Sequence, residues 1–203
     1  MAAQRQVRRP TQARALATRE HLIAAAADLL GEVGIERLST NLICARAGLT
    51  PPAFYRYFKD KYAILEELGE RLMDTQNAVF APLLGQGELI VDEAKLYALL
   101  LESIRVTGAF PGGPWVLRAL RAVPALQHVR LQSHRRMSAL IARAAAKRGK
   151  ASARRARQAR LLIDMGYAAI ELAFDEPKLA AKGIAEDAAG PLAVLARSLL
   201  GGR

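Results

Sequence analysis

The sequence predicts an all-α fold of about nine helices, arranged as a small N-terminal unit and a larger C-terminal helical domain. Three observations carry this expectation. Beyond residue 18 apolar residues recur at helical spacing, and the helix formers Ala, Leu, Arg and Glu dominate. No window alternates apolar and polar residues long enough to mark a strand. Glycine, proline and capping residues cut the chain into pieces of helix length.

Residues 1–17 hold Arg5, Arg8, Arg9 and Arg14, no acid precedes Glu20, and Pro10 interrupts the run, so this stretch reads as a flexible basic arm. Thr18 is a plausible N-cap for a first helix whose apolar side is Leu22, Ile23, Ala26, Leu29, Leu30 and Val33, closed by Gly34. Two short segments follow, 40–47 and 51–58. A fourth helix starts after Asp60 and runs to about Phe80, before Pro82 and Gly85-Gln86-Gly87. These pieces divide the chain into an N-terminal unit over 18–65 and a C-terminal helical set over 66–203, whose expected role is packing and partner contact. The latter should contain helices at 88–107, from a Pro111-Gly112-Gly113-Pro114 corner to Ala122, at 124–148, at 152–174, and one ending near Leu200. Gly190-Pro191 either kinks that last helix or begins it.

Composition bounds the function. In 203 residues, 52% apolar and 24% charged is the balance of a folded chain long enough to bury a core. Cys44 is the single cysteine, so no intrachain disulfide can form, which suits a reducing compartment. The first apolar run, from Leu22 to Leu30, is broken by Asp28, and no stretch reaches the ~18 apolar residues of a membrane span. A cytoplasmic protein with no membrane partner is expected. Thirty Lys and Arg against nineteen Asp and Glu leave +11, and a pI near 10.4 predicts attraction to polyanions, nucleic acid first.

The informative stretch runs from Ser39 to Phe58. Ser39 can cap one short helix and Gly48 can supply the left-handed residue that ends it. Thr50 precedes Pro51, and the residue before proline is pushed to the extended region that an N-cap adopts, so Thr50-Pro51 is a self-consistent helix start. Two short helices around a tight glycine turn make a helix-turn-helix, whose second helix enters the DNA major groove. At about 100° per residue, Phe54 and Phe58 share a core face with Leu49 and Ile43 behind it. Opposite lie Pro52 and Arg56, with Pro51 leading the helix and Ala53 and Tyr55 flanking. Arg56 is the candidate for a guanine edge, and Pro52 and Ala53 for a thymine methyl. Thr40, Thr50, Tyr55, Tyr57 and Lys61 sit where hydroxyls, amines and helix starts can meet phosphates.

From Thr18 to about Leu68 the chain resembles the DNA-binding domain of TetR-family transcriptional regulators. The resemblance rests on the helix ending at Gly34, the core Ile43, Cys44, Ala47, Gly48 and Leu49, then Thr50, Tyr55-Arg56-Tyr57-Phe58 and Lys61 before an apolar fourth helix. It implies a homodimeric regulator of double-stranded DNA, usually a repressor, whose C-terminal helices dimerise and enclose a ligand pocket. By position it also implies phosphate contacts at Thr40, Thr50, Tyr55, Tyr57 and Lys61. Cys44 stands where the family commonly has alanine, and Pro52-Ala53 where a glycine or polar pair is frequent, which removes two hydrogen-bonding readers.

Signals for other chemistry are poor. His21, His128 and His134 form no i,i+4 pair, and no H-E-x-x-H, G-x-S-x-G or phosphate-loop motif occurs. No enzyme, cofactor or metal site is expected. Arg143, Lys147, Arg148, Lys150, Arg154, Arg155, Arg157 and Arg160 form an acid-free run that is either a solvated helix-loop-helix tip or a second nucleic-acid surface. The N-terminal arginines either follow the minor groove or form a tail without a role. A nonspecific, nucleoid-like DNA-binding protein is the alternative to an operator-reading regulator.

In the C-terminal half, Leu161, Leu162, Met165, Ala169, Leu172 and Ala173 make one helix apolar over a wide arc, and Leu192, Leu195 and Leu199 give the last helix a matching stripe. Two such helices per chain can form a four-helix dimer interface, or else a monomer core. Tyr97, Trp115, His134, Met137, Met165 and Tyr167 are candidates for a pocket taking a small apolar or amphipathic ligand, being large or polarizable residues on the middle helices.

Overall fold

Helix caps and breaks dictate the architecture found in a computed structural model, which describes residues 10–85, 92–146 and 152–200. Nine α-helices and no strand occur among the described residues, in two units divided between Leu68 and Gly69. Helix α1 spans Pro10–Arg37, α2 Thr40–Arg46, α3 Pro51–Phe54 and α4 Lys61–Gly85. They are followed by α5 Glu93–Ala109, α6 Gly113–Ala122, a 3₁₀ turn Pro124–Leu126, α7 Gln127–Ala146, α8 Ala153–Asp175 and α9 Ala181–Leu200.

Helix α1 begins at Pro10 and not at Thr18, so the expected arm is helical from residue 10, while residues 1–9 lie outside the described residues. Thr18 caps nothing: its hydroxyl donates to the Arg14 carbonyl inside the helix at 2.9 Å. The reason is local. Pro10 is tolerated in a first turn, and Ala13, Arg14, Ala15, Leu16 and Ala17 are strong helix formers. Leu22, Ala26 and Leu30 are buried with Ile43, Phe54, Phe58, Ile64, Leu65 and Leu68, the core of the first unit. Gly34, at φ 73° and ψ 170°, interrupts α1 where the sequence ends it, and a last turn runs on to Arg37.

In the second unit Asp92 caps α5 through a 2.8 Å bond from the Lys95 amide, and Ser152 caps α8 through a 3.2 Å bond from Arg155. Helix α8 packs against α7 and α9, and α9 packs against α5. Two prolines are absorbed rather than terminating helices. Pro82 forfeits one backbone bond and α4 continues to Gly85, while Pro191 lies exposed within a continuous α9 held by Ile184, Ala185, Ala189, Leu192 and Ala196 on its buried side. Residues 86–91, where the fifth helix is expected to begin, and Lys147, Arg148 and Lys150 of the basic run lie outside the described residues.

Candidate nucleic-acid interface and interior chamber

The two short helices are assembled by caps and one glycine. Ser39 adopts extended geometry and accepts the Leu42 amide at 3.3 Å, starting α2. Gly48 takes φ 61°, and the Leu49 amide reaches back to the Cys44 carbonyl at 2.9 Å, closing the turn. Thr50 has N-cap backbone geometry, with its carbonyl accepting the Ala53 and Phe54 amides, but its side chain makes no cap bond. That hydroxyl is exposed beside the start of α3.

Regular helix in α3 lasts only Pro51–Phe54; Tyr55 to Tyr57 continue as a turn, held by bonds from the Tyr57 and Phe58 amides to the Phe54 carbonyl. Fully buried Phe54 anchors the segment, its ring 5.6 Å from that of Tyr55 and 5.7 Å from that of Phe58. Pro51, Pro52, Tyr55 and Arg56 are exposed and Ala53 and Tyr57 half-buried, so the face opposite Phe54 is turned to solvent as its period requires. Arg56 has no hydrogen bond or ion pair among the described residues, whereas Arg46 is neutralised by Glu32 at 2.6 Å. Thr40 is half-buried at the first position of α2.

Lys61 is placed differently from a free phosphate ligand. Its ammonium donates to the Ile35 and Leu38 carbonyls at 3.1 and 2.9 Å, closing the chain after the Gly34 break. Two of its three donors are committed and one remains.

In the second unit an apolar chamber of about 60 Å³ lies among α4, α5, α7, α8 and α9. Of the six pocket candidates Met137 and Tyr167 line it. The other four do not. Tyr97 borders a separate shallow surface concavity with Glu93 and Lys182, Met165 is exposed on α8, and Trp115 is exposed on α6 with the Arg118 guanidinium 4.9 Å from its ring. His134 is buried behind the chamber, its ring stacked on that of Tyr167 at 4.1 Å. Leu96, Leu99, Leu100 and Ile141 line the chamber instead. Their spacing on α5 and α7 was legible, but an apolar face against a cavity and one against a core have the same pattern.

The dimer candidates also divide. Leu161, Met165 and Leu172 are exposed, and Ala169 and Leu172 border an open concavity between α8 and α9. Leu162, Leu192 and Leu199 instead line the chamber within the same chain, with Leu199 fully buried. Leu195 and Ala173 are half-buried.

A polar cluster around buried His134 has a pH consequence. His134 Nδ1 lies 2.6 Å from Asp164 Oδ1, and Arg160 Nε donates to Asp164 Oδ2 at 2.6 Å. Burial pushes the His134 imidazole below its ordinary 6.5, and the nearby Arg130 and Arg160 add to this, against the pull of Asp164. The unfolded chain therefore takes up a proton near pH 6.5 before the folded chain does, so stability is full above that pH and falls as pH drops towards the lower folded value. Urea unfolding at pH 7.5 and 5.5 should show this loss, at no more than about 1.4 kcal/mol per pH unit from this group. In His134→Gln the slope should be shallower; an unchanged slope would assign the loss to other groups.

Comparison with known proteins agrees with this geometry. Residues 22–68 match the family described as bacterial regulatory proteins, tetR family. The chain is similar to the tetracycline repressor protein class C of Escherichia coli, 38% identical over 64 residues, which is 32% of this chain and 29% of that protein. It is also similar to the class A repressor from transposon 1721 of Escherichia coli, 42% identical over 52 residues, 26% of this chain and 24% of that one. The matches thus span less than a third of these relatives' lengths. The fold is shared more widely. A tetR-family transcriptional regulator from Streptomyces coelicolor aligns with a TM-score of 0.65 at 17% identity, covering 93% of this chain and 90% of that one. The SmeT–triclosan complex aligns with a TM-score of 0.62 at 21% identity, covering 90% of each chain.

Proposed function

We propose, from the match of residues 22–68 to the tetR family of bacterial regulatory proteins, that the chain belongs to that family and is a ligand-released transcriptional repressor. It acts as a cytoplasmic homodimer on a palindromic operator, without enzymatic activity. The observation that carries this reading is the exposed face of Pro52, Tyr55 and Arg56, held outward by buried Phe54 behind a turn at Gly48.

In this reading Arg56 bonds a guanine edge, Pro52 and Ala53 touch thymine methyls, and Pro51 seats the helix start at the groove. Thr40, Thr50, Tyr55, Tyr57 and the remaining donor of Lys61 meet phosphates and fix register. The exposed Leu161, Met165 and Leu172 on α8, with Ala169 between them and the exposed Val194 on α9, supply an apolar dimer face that water alone would disfavour. Two recognition helices then enter successive major grooves about one helical turn apart. A small apolar or amphipathic molecule in the chamber releases the operator by binding more tightly to the conformer that cannot span it. That a fold neighbour is a complex with triclosan supports a small-molecule effector.

Genome-fragment selection with the purified protein at ~0.15 M salt, repeated with Arg56→Ala, tests this. The expected result is one palindromic motif. Arg56→Ala should bind it about ten- to a hundred-fold more weakly, the worth of a bidentate base contact. Uniform recovery of all fragments by both proteins would replace operator reading with the nucleoid-like alternative, in which the +11 charge of each chain carries binding.

A further inference from the structure

We propose that the chamber of the second unit takes a compact, neutral hydrocarbon or halocarbon, a molecule with no hydrogen-bonding group, and that Gly166 sets the size it accepts. The proposal deepens the ligand-released reading and rests on it for the effect on DNA, though not for the binding itself.

The chemical class follows from the wall. Among the side chains that line the chamber only those of Met137 and Tyr167 carry an atom other than carbon. The Tyr167 hydroxyl is bonded to Ser133, which is not part of the wall, and the Met137 thioether is only a weak acceptor. A hydroxyl, amide or amine brought into the chamber gives up its water and gains no partner, which costs about ten-fold or more in affinity. A charged group costs far more. Water is disfavoured for the same reason, whereas an apolar molecule gains dispersion contacts with the wall and leaves no polar group unpaired. The space, about 60 Å³, is less than half of the ~150 Å³ apolar cavity that accommodates benzene, so the occupant is more compact than a benzene ring.

Size is set on α8. Leu162, Gly166 and Ile170 follow one another at single-turn intervals, so they share a helix face, and all three line the chamber. A side chain at 166 would point the same way as its two neighbours on that face. Its Cβ would meet nothing within 4 Å, whereas at Gly69 on α4 a Cβ would stand 2.6 Å from Leu120 Cδ2 on α6. Glycine at 69 permits a close approach of two helices. Glycine at 166 serves no such contact, although it weakens a helix interior relative to alanine. What its missing side chain leaves open is the half-buried margin of the chamber. A methyl group there trims the space, and an isopropyl group fills it.

Nuclear magnetic resonance titration of the full chain with xenon, propane and ethanol under gas pressure provides the test. Propane and ethanol have nearly the same shape and differ by a methyl against a hydroxyl. Xenon and propane should bind saturably, with propane at least ten-fold tighter than ethanol. In Gly166→Val, shown to be folded by its melting curve, propane affinity should fall at least ten-fold, with Gly166→Ala between it and the parent chain. Gly183→Val, on α9 outside the chamber wall and equally free of contacts at its Cβ, should leave propane affinity unchanged. No saturable binding of xenon or propane, ethanol binding as tightly as propane, or unchanged propane affinity in Gly166→Val would each overturn the proposal. The same compounds added to the protein on its selected DNA fragments separate the two readings. Propane binding that leaves the DNA bound overturns ligand release and leaves the site standing. Release by ethanol, with propane failing to bind, does the reverse.

Discussion

Phe54→Ala should lower the stability of the first unit by about 3–5 kcal/mol and abolish DNA binding with it. A helix of four residues has no stability of its own, because nucleating the first turn fixes several dihedrals for one bond. What holds Pro51–Phe54 in place is the burial of Phe54, which is 0% exposed and in ring contact with Phe58. Truncation removes that anchor and leaves a cavity beneath the exposed face that carries Arg56. Phe54→Leu keeps most of the volume and should cost less than about 1.5 kcal/mol while retaining DNA binding. Urea unfolding and fragment binding of both variants check this; a normal midpoint in Phe54→Ala would mean that α3 is held by something other than its core residue.

Gly113→Ala should be the most damaging single-methyl change in the second unit. A Cβ at this position would stand 2.0 Å from the Thr107 carbonyl oxygen, 3.1 Å from its carbon and 3.2 Å from Phe110 Cβ. Two of those three atoms are backbone of the end of α5, which cannot swing aside as the tip of a side chain can. The corner has no slack either, since Gly112 already occupies φ 65° and the Gly113 amide donates to the Phe110 carbonyl at 2.8 Å. The cost is expected at or above the upper end of the usual 1–3 kcal/mol for overpacking. Gly166→Ala is the matched control. Its Cβ would meet nothing within 4 Å, in the middle of α8, so the gain in helix propensity should leave the protein equal or up to about 1 kcal/mol more stable. Equal midpoints for the two variants would show that the α5–α6 corner yields.

The N-terminal unit was legible because its signals are local. Ser39, Gly48 and Thr50-Pro51 each act on their own neighbours, and the Phe54 and Phe58 spacing determines which side of the segment faces outward. Helix boundaries were less so where competing effects are close in size. Thr18 is as good a cap as Ser39, but the helix formers before it allow α1 to begin at Pro10.

The helical class, the turn at Gly48, the outward face of Pro52 and Arg56, and the apolar stripes of α8 and α9 follow from residue spacing and caps alone. What each stripe faces follows from packing between helices. Leu161 and Leu162 are neighbours in the chain, yet the first is exposed and the second lines the chamber; Met137 and Met165 look alike in sequence, and only Met137 lines it. Lys61 stands where an amine can meet a phosphate, yet its ammonium is claimed by the Ile35 and Leu38 carbonyls beyond the Gly34 break. Helical period reports the direction of a side chain about its own axis, whereas burial and partnership depend on which other helix arrives on that side. That is set by packing between segments far apart in sequence.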